Sequence, residues 1–150
     1  GSGKTTLLRD FIRSLSDMGK RVSVVDSRGE LSASYRGVSN NELGVNTDVL
    51  LGFEKAAGIE IALRTLYPEI IAFDEIGTIG EVKAVKDCLH GGADIVATAH
   101  LSEISRIMSR KITSALIKTE AISQIVMMGK RAGDDYKIYC ADEVTRLCGF

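Results

Sequence analysis

Gly1-Ser2-Gly3-Lys4-Thr5-Thr6 (GSGKTT) opens the chain, and a helical stripe follows at once: Leu7, Leu8, Phe11, Ile12, Leu15 and Met18, stopped by Gly19. The hexapeptide is the C-terminal part of GxxxxGK[ST], the Walker A motif. In that motif glycines let backbone N–H groups close around phosphate oxygens, a lysine bridges the outer phosphates, and a Ser/Thr hydroxyl binds Mg²⁺. Lys4 and Thr5 take those two roles here, with Gly1, Ser2, Gly3 and Thr6 completing the phosphate cradle. A correctly patterned helix behind the glycines separates this reading from a chance glycine-rich start. The full motif extends three residues before Gly1 and follows a strand. The residues upstream of Gly1 are therefore expected to hold an apolar strand and a glycine. Residues 1–150 read as one P-loop domain cut within the Walker A motif.

A phosphate loop needs a second acidic strand end to hold the magnesium. Ile70-Ile71-Ala72-Phe73-Asp74-Glu75 supplies it, with four apolar residues followed by two carboxylates. Ligands of open α/β sheets bind at that C-terminal edge. Asp74 is expected to contact Mg²⁺, directly or through water, and Glu75 to take a proton from the attacking water. Taken alone, the segment also fits a strand with a solvated polar turn; GSGKT tips the balance.

Two further strand ends point the same way. Asp26 closes Arg21 to Asp26 (RVSVVD), with Glu30 four residues later, and Thr98-Ala99-His100 closes Asp94 to Ala99 (DIVATA). Parallel strands would bring all of them to the phosphate edge. His100 then senses or positions the γ-phosphate or a water, or is a partly buried histidine with no part in the chemistry. Asp26 or Glu30 orients water or magnesium, or belongs to a structural turn.

Working outward, Ser27 to Gly58 carries five glycines and weak periodicity, and reads as loop with a short helix near Asn46 to Leu51. Ile59 to Leu66 reads as helix, stopped by Pro68; Glu81 to His90 as helix, ended by Gly91-Gly92; and Ser102 to Arg110 as a further helix with Ser102 as its N-cap. Ile122 to Lys130 and Tyr136 to Ala141 alternate as two strands joined by a Gly133-Asp134-Asp135 turn. Strand and helix alternate through most of the chain. The fold class is therefore α/β: a mainly parallel sheet with helices on both faces and a terminal antiparallel hairpin, lacking the strand before the P-loop.

The 150 residues suit one domain, and 45% hydrophobic with 26% charged residues is ordinary for a globular protein. A net charge of −1 offers no field to hold nucleic acid. Apolar stretches are too short to span a bilayer, and no signal peptide or basic amphipathic helix appears. Cys88, Cys140 and Cys148 match no zinc pair or disulfide framework, and read as reduced thiols.

With these segments assembled, the chain resembles the stage III sporulation protein AA family, ATPases of endospore-forming bacteria. The resemblance rests on GSGKTTLLRD, VVDSRGELSASYRG, TDVLLGFEKAAGI, LRTLYPEIIAFDEIG and ATAH, in that order, and covers about Gly1 to His100. That family is in turn similar to the secretion ATPases of type II and type IV machines. The shared parts are a phosphate loop (Lys4, Thr5), an acidic box (Asp26 to Glu30), an acidic strand end (Asp74, Glu75) and a histidine box (His100). Secretion ATPases often lack the aspartate before that glutamate, so Asp74 points to the sporulation branch. The resemblance implies a RecA-like ATPase core working as a ring, hexameric in the family's manner, in the mother-cell cytoplasm. It would be docked on a membrane complex facing the forespore, whose assembly or transport it energises with ATP and Mg²⁺. An arginine acting on a neighbouring subunit is then sought among Arg28, Arg36 and Arg64. Arg28 and Arg36 sit in the loop-rich stretch, whereas Arg64 lies in a helix pattern and is expected to pack.

Two other readings stand beside the motor ATPase. One is a stand-alone nucleoside triphosphatase or nucleotide kinase acting on small molecules, for which a second substrate pocket and an arginine-rich lid are not obvious. The other is an assembly switch that binds ATP without useful turnover. No ABC-type signature segment is found. A RecA-like sheet places the strand before the phosphate loop near its centre, so residues 1–150 expressed alone are expected to be poorly stable and weakly active.

Overall fold

The strand Val22–Asp26 (β1) is buried along its whole length and organises the sheet. The computed structural model describes residues 3–36, 38–131 and 133–147. Gly1, Ser2 and Cys148 fall outside them. The helix Lys4–Asp17 (α1) precedes β1, and the strand Thr47–Leu51 (β2) follows it. Next come the helix Lys55–Thr65 (α2), the strand Ile70–Phe73 (β3), the helix Ile79–Gly91 (α3) and the strand Asp94–Ala97 (β4). The four strands form one parallel sheet in the order β2-β1-β3-β4.

Successive side chains on a strand point to opposite faces, so a strand covered on both sides reads as a continuous apolar run. On one face Val22, Val24, Ile70 and Ala72 pack with Leu8 and Ile12 of α1. On the other, Val25, Ile71 and Phe73 meet Ile59 and Ala62 of α2 and Val82, Val85 and Cys88 of α3. Helices therefore cover both faces, as the sequence predicts. Burial, with some help from the Asp87 charge, pushes the Cys88 thiol up to about 12. Cys88 is thus a protonated core thiol.

The approach of α2 to β1 is close at Gly58. A Cβ there would lie 2.6 Å from Val25 Cγ1 and 3.3 Å from Phe53 Cβ. Gly58→Ala is expected to lower stability by about 1–3 kcal/mol through overpacking, read as a shift of the denaturant midpoint. An unchanged midpoint would contradict this packing.

Three sequence expectations need correction. The segment expected as a short helix near Asn46 to Leu51 is β2, paired in parallel with β1 from Val22↔Thr47 to Asp26↔Leu51. Its alternate Val49 and Leu51 do not face one core, because β2 is an edge strand with only Leu50 buried. The helix expected over Ser102 to Arg110 is a single 3₁₀ turn, Ile104–Arg106, and the α-helix α4 follows at Lys111–Ile117. Arg110 is extended (φ −99, ψ 130), and its guanidinium donates to the His100 carbonyl. Finally, α2 begins at Lys55 rather than Ile59, because the Glu54 carboxylate caps it by accepting from the backbone N–H groups of Ala56 and Ala57.

The hairpin forms as expected, from Gln124–Met128 (β5) and Tyr136–Cys140 (β6), antiparallel from Gln124↔Cys140 to Met128↔Tyr136. It makes its own two-stranded sheet rather than extending the first. The helix Ala141–Leu147 (α5) follows it. No described helix is long and apolar enough to cross a membrane.

Candidate active site

In a parallel sheet all C-terminal strand ends lie on one edge. Val25, Phe73 and Ala97 stand in register, so the residues that follow or end these strands, Asp26, Asp74 and Thr98, come level. Gly3, Lys4 and Thr5 meet them there. Gly3 takes a left-handed conformation (φ +81) at the N-cap of α1, which glycine adopts without strain, and Lys4 and Thr5 form the first positions of the helix. Thr5 Oγ1 donates to Asp74 Oδ2 at 2.9 Å, across 69 residues of sequence. Thr6 is exposed on the next position of α1.

The Asp74 carboxylate has a second partner. Thr98 Oγ1 donates to Asp74 Oδ1, and the same oxygen accepts the backbone N–H of Glu75 at 2.8 Å. Glu75 is in the left-handed region (φ +54), where a non-glycine residue is strained. Its carbonyl accepts from Lys55 Nζ. Its carboxylate lies 3.7 Å from His100 Nε2, and both side chains are solvent-accessible. The four residues Thr5, Asp74, Glu75 and His100 are therefore brought together.

Glu30 borders the same region. A cavity of about 30 Å³ is bordered by Asp26, Glu30, Lys55, Asp74 and Glu75. Room of that order suffices for a water molecule. The Glu30 backbone carbonyl accepts from Arg9 at 3.1 Å, while its side chain is exposed and 4.0 Å from Arg28. Asp26 has a different task. It is buried, and its carboxylate accepts from the backbone N–H groups of Leu31 and Ser32 and from Ser32 Oγ. With these bonds Asp26 fixes the turn that carries Glu30. A wider groove of about 520 Å³, bordered by Arg13, Asp17 and Glu42, contains no phosphate-loop residue and lies apart from this chemistry.

Of the three arginines, Arg28 is exposed beside the cavity. Arg36 is left-handed (φ +51) and lies 5.3 Å over the Tyr35 ring. Arg64 does not pack into the core: it is exposed on α2 in an i,i+4 pair with Glu60 at 2.7 Å.

Two residues were not singled out from sequence. Thr98 was visible only as part of a strand end; its register with Asp74 is the signal that marks it. Lys55 is the first residue of α2, which has no acidic residue in its first turn. A cation is disfavoured at a helix N-terminus, so its position calls for partners outside the helix. They are the Glu75 carbonyl and Glu81 Oε1, the latter at 3.7 Å.

The donor set fits Mg²⁺. No group of three or more metal-ligating side chains occurs among the described residues. A threonine hydroxyl beside one carboxylate suits an ion that draws its remaining ligands from phosphates and water.

A four-stranded parallel sheet whose first helix is hydrogen-bonded through Thr5 to an acidic strand end defines a domain of the P-loop fold. The chain belongs to the family described as sporulation stage III, protein AA, whose model matches residues 1–142. It is 33% identical over 138 residues to stage III sporulation protein AA of Bacillus subtilis (strain 168), covering 88% of this chain and 45% of that protein. It is also 33% identical over 131 residues to the protein SEEDLING PLASTID DEVELOPMENT 1 of Arabidopsis thaliana, covering 78% of this chain and 17% of that protein. The chain thus spans less than half the length of these relatives. Its fold is similar to the X-ray structure of the Legionella pneumophila ATPase DotB, with a TM-score of 0.62 and 19% identity over 98% of this chain and 48% of that one.

Proposed function

We propose that the chain is the ATP-binding and ATP-hydrolysing core of a motor protein of the sporulation and secretion ATPase type. The observation that carries this reading is the hydrogen bond from Thr5 to Asp74, which joins the phosphate loop to the acidic strand end beside Glu75. Lys4, with Gly1, Ser2, Gly3 and Thr6, holds the phosphates of ATP. Thr5 Oγ1 and Asp74 hold Mg²⁺, with Asp74 acting directly or through water. The ion, when bound, neutralises charge on the phosphates. Glu75 takes the proton of the attacking water, a general-base contribution of about 10²- to 10⁴-fold. His100, 3.7 Å from the Glu75 carboxylate, orients that base or a water, and Glu30 contributes a second carboxylate at the cavity.

The protein works as a homo-oligomeric ring, hexameric in this reading. It lies in the cytoplasm at the mother-cell face of a membrane complex of the sporulation channel type, and energises assembly or transport there. Family membership and the ATPase fold support this assignment. Arg28, exposed beside the cavity, is the arginine best placed to reach across a subunit boundary. A ring with shared sites has a kinetic signature. The ATPase rate per subunit of the full-length protein is expected to rise with protein concentration as the ring assembles. A rate per subunit that stays constant across that range favours a stand-alone nucleoside triphosphatase instead.

A further inference from the structure

Glu75 is held by its backbone on both sides. Its N–H donates to Thr98 Oγ1 at 2.8 Å, and its carbonyl accepts from Lys55 Nζ. The strained φ of +54 lies between these two anchors. Thr98 is tied to Asp74 and so to the phosphate loop. Lys55 ties the other side to a different element.

That element is the start of α3. Glu81 is buried, and its Oε2 accepts the N–H groups of Gly77 at 2.7 Å and Thr78 at 3.1 Å, while its own N–H bonds Thr78 Oγ1. This is a capping box, which sets the path of residues 77–81. Lys55 Nζ lies 3.7 Å from Glu81 Oε1, with its side chain only 20% exposed. One ammonium group therefore spans the carbonyl of Glu75 and the capping carboxylate of α3. It links α2, α3 and the loop between Glu75 and Thr78.

We infer that Lys55 is a positioning residue for Glu75: it fixes the left-handed backbone that aims the Glu75 carboxylate along the sheet edge. An ordinary ion pair between two helices would need only Glu81. The bond to the Glu75 carbonyl is the additional feature, and it sits on the residue whose orientation decides proton transfer. In this role Lys55 acts through the Glu75 backbone. This inference rests on the assignment of Glu75 as base under Proposed function.

The test uses the full-length protein, with Lys55→Met, Lys55→Gln and Glu75→Gln compared for ATP affinity, kcat, KM and the thermal midpoint. Lys55→Met is expected to lower kcat by at least tenfold with ATP affinity within about threefold of wild type, since the phosphate contacts are untouched. Combined with Glu75→Gln, it is expected to add no further loss, because both act on one group. A folded Lys55→Met with kcat within twofold of wild type overturns the inference. If Lys55→Met does not fold, Lys55→Gln decides by the same criteria. Collapse of both makes Lys55 a purely structural lysine and also overturns it. Wild-type turnover in Glu75→Gln is a different result: it removes the base assignment itself, whatever the Lys55 variants do.

Discussion

Glu75→Gln is expected to lower ATP turnover of the full-length protein by about 10²- to 10⁴-fold and to leave ATP affinity within a few-fold of wild type. The substitution keeps the length and shape of the side chain and removes the carboxylate proposed to accept the proton. Its backbone anchors are unaffected, because the bonds to Thr98 and Lys55 involve the Glu75 N–H and carbonyl. Thr5 reaches Asp74 rather than Glu75, so binding and hydrolysis are expected to separate at this position. Steady-state phosphate release and equilibrium ATP binding check the two halves independently. Turnover retained in Glu75→Gln would sink the assignment; lost binding would mean that Glu75 supports the nucleotide rather than the water.

The second large effect is expected at Asp74. Its two carboxylate oxygens are divided between Thr5 and Thr98. Asp74→Ala removes the partner that orients the Thr5 hydroxyl and leaves Thr98 without its acceptor. Groups that orient a metal ligand are worth about 10- to 100-fold in metal affinity or activity. Asp74→Ala is therefore expected to weaken MgATP binding by about that factor, with little change in the binding of ATP in the presence of EDTA. Calorimetric titration under the two conditions gives the comparison. An equal loss with and without magnesium would assign Asp74 to the phosphate loop's architecture rather than to the ion.

The segments behind these expectations were legible in the sequence because the local pattern of each dictates its place. The run Ile70 to Phe73 is apolar without a break because α1 covers one face of β3 and α2 and α3 cover the other. A strand of that kind ends where its first carboxylate appears. The helix behind GSGKT was equally clear, although only Leu8 and Ile12 of its apolar stripe are buried with Ser16, while Leu7 and Phe11 are exposed. Where register or distant partners decide, the sequence was a weaker guide. Thr47 to Leu51 pairs with β1 over its full length but has one buried residue, so neither period stood out. Ile104, Ile107 and Met108 share a helical spacing, yet the chain turns after Arg106 and Arg110 reaches back to the His100 carbonyl.

The site shows the same division. Lys4, Thr5, Asp74, Glu75 and His100 belong to recognisable strand ends or loops, and their residue types announce them. Asp26 is a candidate for the same reason, and its carboxylate also accepts from the turn at Leu31 and Ser32. No local pattern distinguishes a carboxylate that caps a turn from one that faces a ligand. Thr98 and Lys55 are marked only by tertiary neighbours, one by register with Asp74 and one by the partners that a cation at a helix start must find elsewhere.

The central claim is that this chain hydrolyses ATP with magnesium at the edge formed by β1, β3 and β4. Phosphate release by the full-length protein, measured with MgATP, with ATP and EDTA, and with MgATP for Glu75→Gln, tests it most directly. Turnover that requires magnesium and disappears in Glu75→Gln is the predicted result. Phosphate release no greater in the wild type than in Glu75→Gln would contradict it.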